Sequence, residues 1–395
     1  MDPFKNPFRP GAGTPPPALI GRDELIEKYS VALRRTLSGR PGKSVMPIGL
    51  RGVGKTVLLN RFEQLARESG IQTGFLEAPD TGEFKRLLAT RLRSILVGLD
   101  QGPVSQAVKR AMGILKSFAY TLPDGMSISL SVDPVVGSAD SGVLSEDTTD
   151  LLVAVGEAVK DRETGLLLAI DEVQYLTAEE LAALISAIHR TVQLSLPVIL
   201  VGAGLPQLPG LAGSAKSYAE RLFDFPHIGP LARADAQAAL ELPAQAQDVT
   251  FSVDALAELL DRTHGFPYFL QEWGYHVWNV APKSPITAED VRLAAPEVQR
   301  RLDENFFLVR MDRLTPAESR YLAAMAALGE GPHRSGDVAA CLEVKVESVA
   351  PRRSALIQKG MVFSPAHGDT AFTVPLFDEF LRRTYTVGRS PSRGA

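Results

Sequence analysis

The sequence has a single cysteine, Cys341, among 395 residues, which excludes an intrachain disulfide framework and a cysteine-rich zinc site. It also lacks the run of about 20 apolar residues that crosses a bilayer. The N-terminal stretch "MDPFKNPFRPGAGTPPPALIG" has no apolar core of the kind found in signal peptides. We therefore expect a soluble cytoplasmic protein with no membrane partner.

Excess positive charge is absent too. The chain has 42 Lys and Arg against 46 Asp and Glu, a formal net charge of -4. A general affinity for polyanions is therefore not expected, and DNA contact would need a local basic patch. Hydrophobic residues make up 45% and charged residues 22%, an ordinary globular composition. A chain of this length usually forms two or three domains.

The segment "GLRGVGKT" at residues 49–56 fits the phosphate-binding pattern G-x-x-x-x-G-K-[ST] at every fixed position. The apolar "VMPIGL" before it predicts a strand, and the amphipathic "TVLLNRFEQLARES" after it predicts a helix, as the motif requires. This context disfavours a chance match of a glycine-rich turn. We expect backbone N–H groups to surround the phosphates, Lys55 to reach the β- and γ-phosphates, and Thr56 to hold Mg²⁺. The predicted nucleotide-binding residues here are Gly49, Arg51, Gly52, Val53, Gly54, Lys55, Thr56 and Val57.

A continuous apolar run, "LLLAIDE", closes on Asp171 and Glu172 and predicts a buried parallel strand. Asp171 at the carboxyl edge of such a strand can bind the Mg²⁺ shell. Glu172 can polarise a water molecule for attack on the γ-phosphate. The alternative is that the two acids lie at the N-terminus of a helix, where the helix dipole favours negative charge. Beside a phosphate-binding loop, the pair indicates ATP hydrolysis.

The order of elements predicts an α/β fold, a parallel sheet with helices on both faces. "IQTGFLEA" predicts a strand between the loop strand and "LLLAIDE", which favours additional-strand phosphate-loop ATPases over simple kinases. "LPVILVGAG" and "LFDFPHI" predict further strands, and "MSISLSV" at 126–132 could be another. The predicted segments are a flexible or draped arm at 1–18, an ATPase core at 19–230, a helical lid at 231–312, a winged helix at 313–385 and a tail at 386–395.

The predicted winged helix starts at "LTPAESRYLAAMAALG" and continues with "SGDVAACL", "ESVAPRRSALIQKGMV" and "HGDTAFTVP", which indicate two helices and a hairpin. In the DNA-binding version the second paired helix, here about 348–359, enters the major groove. It would offer Arg352, Arg353 and Lys359 to phosphates and guanine edges. From residue 314 to 395 there are only ten Lys and Arg against eight Asp and Glu. Contact with double-stranded DNA and an intramolecular or protein-binding role both stay open.

Six segments follow one another in a selective order: "IGRDEL", "GLRGVGKT", "LLLAIDEVQYL", "VILVGAGLPQL", "AERLFDFPHIGPL" and "THGFPYFLQ". Together they resemble bacterial AAA+ ATPases with an origin-recognition-complex-like ATPase domain, which stand near archaeal initiator and STAND signalling ATPases. The resemblance covers about residues 18–385. It implies an additional-strand core, a helical lid and a winged helix, with ATP or ADP and Mg²⁺ bound.

The resemblance also implies site residues outside the loop. Ile20, Gly21 and Arg22 would lie against the adenine, although an ordinary start of a helix is the alternative. Gln207 would sense the γ-phosphate, although the strand end at 202–204 lacks the polar side chain that many AAA+ proteins have there. Arg221 would be an arginine finger, which can act from a neighbouring subunit of a homo-oligomer. A surface salt bridge is the alternative for Arg221.

In the predicted lid, "HGFPYF" has Gly265, Phe266 and Pro267 where AAA+ proteins often have an Arg that reads the γ-phosphate. STAND proteins share this pattern, and the resemblance implies that Pro267 touches the base. Without the Arg, a slow switch is favoured over a fast motor. Two functions stay open: an ATP-dependent switch or remodeller acting on DNA, and a STAND-type regulatory ATPase whose winged helix mediates autoinhibition or binds a partner protein. A metabolic kinase or transport ATPase is disfavoured.

Overall fold

A computed structural model describes residues 1–11, 13–40, 42–79, 83–101, 105–121, 130, 132–366 and 368–385. The chain divides into two compact units. We call residues 22–48 and 55–227 the core unit. We call residues 1–21, 49–54 and those described from Ile228 onward the lid unit. The three-domain division made from the sequence stays a prediction.

The core unit contains eight helices and five strands among its described residues. Its helices are α1 (Asp23–Leu37), α2 (Lys55–Glu68), α3 (Phe84–Leu99), α4 (Gln106–Tyr120), α5 (Leu144–Asp161), α6 (Ala178–Gln193), α7 (Leu208–Ala215) and α8 (Ala219–Leu222). Its strands are β1 (Ser44–Val45), β2 (Gln72–Glu77), β3 (Leu166–Asp171), β4 (Val198–Gly202) and β5 (Phe223–Asp224). The predicted strand at 126–132 lies almost wholly outside the described residues.

The strands form a parallel sheet. β3 pairs with β2 on one side and with β4 on the other. β1 pairs with β5, and Ile48 just after β1 bridges both Gly204 and His227. The spatial order is therefore β2-β3-β4-β1-β5. The strand between β1 and β3 in space is β4, which follows both in sequence. The additional strand is thus β4, whereas β2, the strand from which this class was predicted, lies on the far side of β3.

Alternate residues of β3 face two different hydrophobic clusters, because successive side chains of a strand point to opposite faces. Leu166, Leu168 and Ile170 belong to a cluster with α3 to α6. Leu167 and Ala169 belong to a cluster with α1 and α2. All six residues of β3 are buried. Helices thus cover both faces of the sheet, as the unbroken apolar run predicted.

The lid unit is mainly helical, with one small antiparallel sheet of order β6-β8-β7. Its helices are α9 (Arg233–Gln245), α10 (Val253–Thr263), α11 (Pro267–Val280), α12 (Ala288–Leu302), α13 (Val309–Met311), α14 (Pro316–Ala327), α15 (Ser335–Cys341), α16 (Val346–Gln358) and α17 (Phe377–Thr384), with a π-helical turn at Asp303–Leu308. Its strands are β6 (His333–Arg334), β7 (Val362–Phe363) and β8 (Asp369–Phe372). The predicted sequence of helix, helix and hairpin is present at α15, α16, β7 and β8.

One hydrophobic cluster runs through the lid unit, from α9 to α17. The N-terminal arm joins it: Phe8 is buried, and a Cβ added to Gly274 would lie 2.6 Å from the Phe8 ring. The side-chain amide of Asn6 donates a hydrogen bond to the Tyr275 carbonyl at 2.9 Å. Of the two states expected for the arm, the draped one is therefore observed around residues 6–8. Across the described ranges, no helix is both long and apolar enough to span a membrane.

Candidate nucleotide-binding site

Within the core unit, the structure brings together the two predicted metal ligands. Thr56, in the first turn of α2, donates its hydroxyl hydrogen bond to Oδ2 of Asp171 at 2.5 Å. Asp171 ends β3 and is only 5% exposed. Burial raises the pKa of Asp171 above its usual value, Glu172 adds to the rise, and the Thr56 hydrogen bond and the charge of Lys55 oppose it. A cation at this carboxylate would favour its ionised form.

These residues fit magnesium. Mg²⁺ prefers oxygen ligands and is commonly held by one or two protein groups together with substrate phosphates and water. Thr56 and Asp171 supply two neighbouring oxygen atoms of that kind. Among the described residues there is no group of three or more His, Cys, Asp or Glu side chains that could enclose a metal ion. The site therefore suits a cation that arrives with a nucleotide.

The predicted general base, Glu172, has a left-handed backbone conformation, with φ 53° and ψ 38°. Its backbone N–H donates to Oδ1 of Asp171 at 2.9 Å, and the next residue, Val173, donates to the Ala203 carbonyl at 2.9 Å. The side-chain amide of Gln174 donates to Oε2 of Glu172. The role of Gln174 could not be predicted, because a glutamine after two acids carries no signal of its own in the sequence.

The phosphate-binding loop has two glycines in the left-handed region, Gly52 with φ 79° and Gly54 with φ 92°. No described atom lies within 4 Å of a Cβ added to Gly54. That open side fits a loop whose backbone N–H groups must turn toward a phosphate without side chains in the way. A Cβ added to Gly49 would lie 2.2 Å from the Ile228 carbonyl oxygen, so the first glycine is fixed by close packing.

The loop is hydrogen-bonded at two points within the lid unit. The Gly52 carbonyl accepts from the Tyr268 backbone N–H at 3.1 Å, and the Arg51 backbone N–H donates to the Thr373 carbonyl at 2.9 Å. Tyr268 directly follows Pro267, so α11 begins beside the loop with the residue predicted to touch the base. Thr373 follows β8 in the predicted wing. Because more than 300 residues separate it from Arg51, no local sequence pattern could have predicted this contact.

The three predicted adenine-contacting residues are divided between the units. Ile20 packs against the hydrophobic cluster of the lid unit. Gly21 has φ 69°, and a Cβ added there would lie 2.8 Å from a carboxylate oxygen of Asp235. Arg22 belongs to the core unit, at the N-cap of α1. Their contact with adenine stays a prediction.

Gln207 and Arg221 lie after β4 in the core unit. The side-chain oxygen Oε1 of Gln207 is buried and has no hydrogen-bond partner among the described residues. Arg221 is exposed at the end of α8, and the described part of the chain shows no ion pair for it. The surface salt bridge stays the alternative for Arg221. The sensor and arginine-finger roles stay predictions.

Two of the three predicted DNA-contacting residues have partners inside the lid unit. Arg353 is half-buried and donates to the Thr370 hydroxyl at 2.7 Å, the Ser364 hydroxyl at 2.7 Å and the Asp369 carbonyl at 2.8 Å. Lys359, just after α16, forms a 2.8 Å ion pair with Glu318. For Arg352 the described residues show no hydrogen bond or ion pair.

Comparison with known protein families assigns part of this architecture. Residues 18–201 match the AAA ATPase domain, and residues 304–381 match a domain of unknown function (DUF8462). The first match spans the loop, Thr56, Asp171 and Glu172. The second match covers most of the predicted winged helix and the last residues of the predicted lid, and it attaches no activity to them.

Among characterised proteins, the molybdenum import ATP-binding protein ModC of Rhodopseudomonas palustris (strain HaA2) is 28% identical over 188 residues. The match covers 45% of this chain and 48% of that protein, so the chain spans about half the length of this relative. The similarity therefore concerns about half of each chain.

Among solved structures, the Walker-type ATPase PABY2304 of Pyrococcus abyssi is 16% identical, covers 95% of this chain and 98% of its own, and has a TM-score of 0.57. The RuvB Holliday junction branch migration motor of Thermotoga maritima is 18% identical, with coverage of 92% and 95% and a TM-score of 0.47. Cdc6p of Pyrobaculum aerophilum is 16% identical, with coverage of 97% and 96% and a TM-score of 0.47. At this identity the likeness to the Pyrococcus ATPase shows the fold alone, and the two lower scores support no further conclusion.

Proposed function

We propose that the protein is an ATP-binding and ATP-hydrolysing molecular switch. The observation that carries the proposal is the hydrogen bond between Thr56 and the buried Asp171, directly after a glycine-rich loop with an open Gly54. Lys55 would neutralise charge on the β- and γ-phosphates. Bound magnesium would polarise the phosphate oxygens, held through Thr56 and Asp171.

The proposed chemistry uses Glu172 as the general base. Its carboxylate accepts a proton from a water molecule as the water oxygen bonds to the γ-phosphorus. The bond between the γ-phosphorus and the oxygen that bridges it to the β-phosphorus breaks. The products are ADP and phosphate. An exposed Arg221 from a second copy could stabilise charge on the transferring phosphoryl group, in which case turnover would depend on assembly.

The test of hydrolysis is the variant Glu172→Gln, with Glu179→Gln as a matched control on exposed surface of the same unit. We expect Glu172→Gln to bind ATP as the wild type does and to turn it over about 10²- to 10⁴-fold more slowly, since it lacks the base. The control should keep wild-type turnover. Unchanged turnover in Glu172→Gln would remove Glu172 from this role.

For the output of the switch, one observation favours regulation through the C-terminal domain. Arg51 in the loop donates its backbone N–H to Thr373 in the wing. Arg353 and Lys359, two cations predicted to reach DNA, have internal partners instead. These contacts support the regulatory ATPase, in which the wing acts as an intramolecular latch on the loop.

Hydrogen exchange of the full chain tests the latch. We expect the Arg51 amide to exchange slowly without nucleotide, and exchange across residues 360–374 to change when Mg·ATP is added. Identical exchange in both states would contradict a latch.

DNA action remains the other candidate, and anisotropy of a labelled duplex across a salt series separates the two. A steep loss of affinity with added salt, reduced in Arg352→Ala, would support DNA binding. Absence of salt-dependent binding would favour the latch.

A further inference from the structure

Gln174 lies in the 3₁₀ turn Val173–Tyr175, directly after the acidic pair at the end of β3. Its side-chain nitrogen donates a hydrogen bond to Oε2 of Glu172. Its side-chain oxygen accepts a hydrogen bond from the Leu205 backbone N–H at 3.0 Å. The side chain therefore joins the proposed general base to the segment that follows β4.

The orientation of this amide follows from its partners. A backbone N–H can only donate, so the end of Gln174 that faces Leu205 must be the oxygen. The opposite end is the NH₂ group, which can only donate, and it faces a carboxylate. The reversed amide would place two donors together at Leu205 and two acceptors together at Glu172. An ionised carboxylate only accepts, so the donor matches the form of Glu172 that a general base requires.

The end of β4 leaves room for the amide. Residues 202–204 carry no polar side chain of their own. A Cβ added to Gly204 would lie 2.9 Å from the side-chain oxygen of Gln174, a distance at which one of the two must shift. The glycine therefore lets the Gln174 amide occupy the space beside the strand end, next to the Leu205 N–H.

The backbone at Glu172 is itself constrained. A left-handed conformation costs a residue other than glycine about 1–2 kcal/mol, and such conformations persist where the surrounding structure over-determines them. Here the turn is held through the hydrogen bond from Val173 to the Ala203 carbonyl. The backbone thus sets the direction of the Glu172 side chain, and the Gln174 amide fixes its carboxylate end.

We propose that Gln174 is the positioning residue for hydrolysis, which ties the carboxylate of Glu172 to the end of β4 so that it meets the attacking water in a fixed orientation. This inference rests on the proposed ATPase function. Gln174 acts through Glu172 and does not itself exchange a proton with the substrate.

Two variants of Gln174 separate positioning from simple bracing of the turn. Gln174→Leu removes both hydrogen bonds and keeps similar volume. Gln174→Glu keeps an oxygen for the Leu205 N–H but places a second carboxylate against Glu172. We expect kcat to fall at least about tenfold in both, a part of the roughly 10²- to 10⁴-fold that a positioned base contributes. The KM for ATP should stay within about twofold, because ground-state binding does not use Glu172. Gln193→Leu, on an exposed part of α6, is the matched control and should keep wild-type kcat.

The double variant Gln174→Leu/Glu172→Gln gives the decisive comparison. If Gln174 acts through Glu172, the double variant turns over ATP no more slowly than Glu172→Gln alone. Wild-type kcat in Gln174→Glu, or an additive loss in the double variant, would overturn the inference in favour of bracing. If the wild type neither binds nor hydrolyses ATP, the proposed function itself fails. Suppose that the wild type hydrolyses ATP, that Glu172→Gln has a low kcat and that Gln174→Leu has the wild-type kcat. In that case the proposed function stands and only this inference fails.

Discussion

Replacing Arg353 by Ala tests whether this cation stabilises the C-terminal hairpin or serves a nucleic acid. In the structure its guanidinium reaches across from α16 and bonds to three groups, the Thr370 and Ser364 hydroxyls and the Asp369 carbonyl, at 2.7–2.8 Å. Thr370 is fully buried. The variant therefore removes a charged donor from three polar groups around β8, of which the Asp369 carbonyl keeps a hydrogen bond from the Ser364 hydroxyl at 3.0 Å.

The expected loss of stability can be bounded from these contacts. A hydrogen bond from a charged donor contributes about 1.5–3 kcal/mol, and a buried polar group left without a partner costs about 1–3 kcal/mol. The three bonds share one guanidinium and do not add independently. Since Arg353 is only half-buried, we expect Arg353→Ala to lower the free energy of unfolding by about 2–4 kcal/mol in total.

Urea unfolding of the full chain, followed by tryptophan fluorescence, measures this loss. Trp273 and Trp278 are buried in the same hydrophobic cluster as α16 and α17, so their emission reports on the lid unit. Arg352→Ala is the neighbouring control and should change stability by no more than about 0.5 kcal/mol. An unfolding midpoint of Arg353→Ala equal to that of the wild type, or equal losses in both variants, would refute the structural role.

Three further predictions concern the nucleotide site. Gly54→Ala should fold, because its added Cβ meets no described atom. It should bind ATP weakly, because a φ of 92° strains the loop by about 1–2 kcal/mol when the residue is not glycine. Gly210→Ala, which is equally open and lacks a positive φ, should bind ATP normally, and equal affinities of the two variants in calorimetry would contradict this prediction. Asp171→Asn should resist urea better than the wild type at mildly alkaline pH, because burial raises the pKa of Asp171 and its ionisation therefore costs stability as pH rises through that value. The advantage should shrink on acidification, and a less stable variant at alkaline pH would speak against it. Light scattering should show assembly of the protein with an ATP analogue but not with ADP. If ATP turnover depends neither on protein concentration nor on the Arg221→Ala substitution, Arg221 does not act as an arginine finger from a second copy.

Much of the core unit could be predicted because its signals are local. The run "LLLAID" is buried on both faces, so its apolar continuity identified β3 directly. Thr177 and Glu180 form a capping box at the start of α6, a signal that lies within four consecutive residues. The proximity of Thr56 and Asp171 followed from the motif and from the shared carboxyl edge of parallel strands.

The contacts that sequence reasoning missed depend on distant partners or on orientation. Arg51 and Thr373 meet only through the tertiary packing of the lid unit. For Arg353 the sequence left DNA contact and an intramolecular role both open, because a cation on a helix looks the same in sequence whether it faces solvent or a neighbouring hairpin. The role of Gln174 depends on which end of its amide faces Leu205, and sequence carries no information about that.

Isothermal titration calorimetry of the purified protein with ATP and with ADP, each with magnesium, tests the central claim most directly. Lys55→Met, which removes the cation and keeps most of the side chain's length, serves as the matched variant. We predict a saturable heat for both nucleotides in the wild type and a much weaker one in Lys55→Met. No heat of binding for either nucleotide in the wild type would contradict the account.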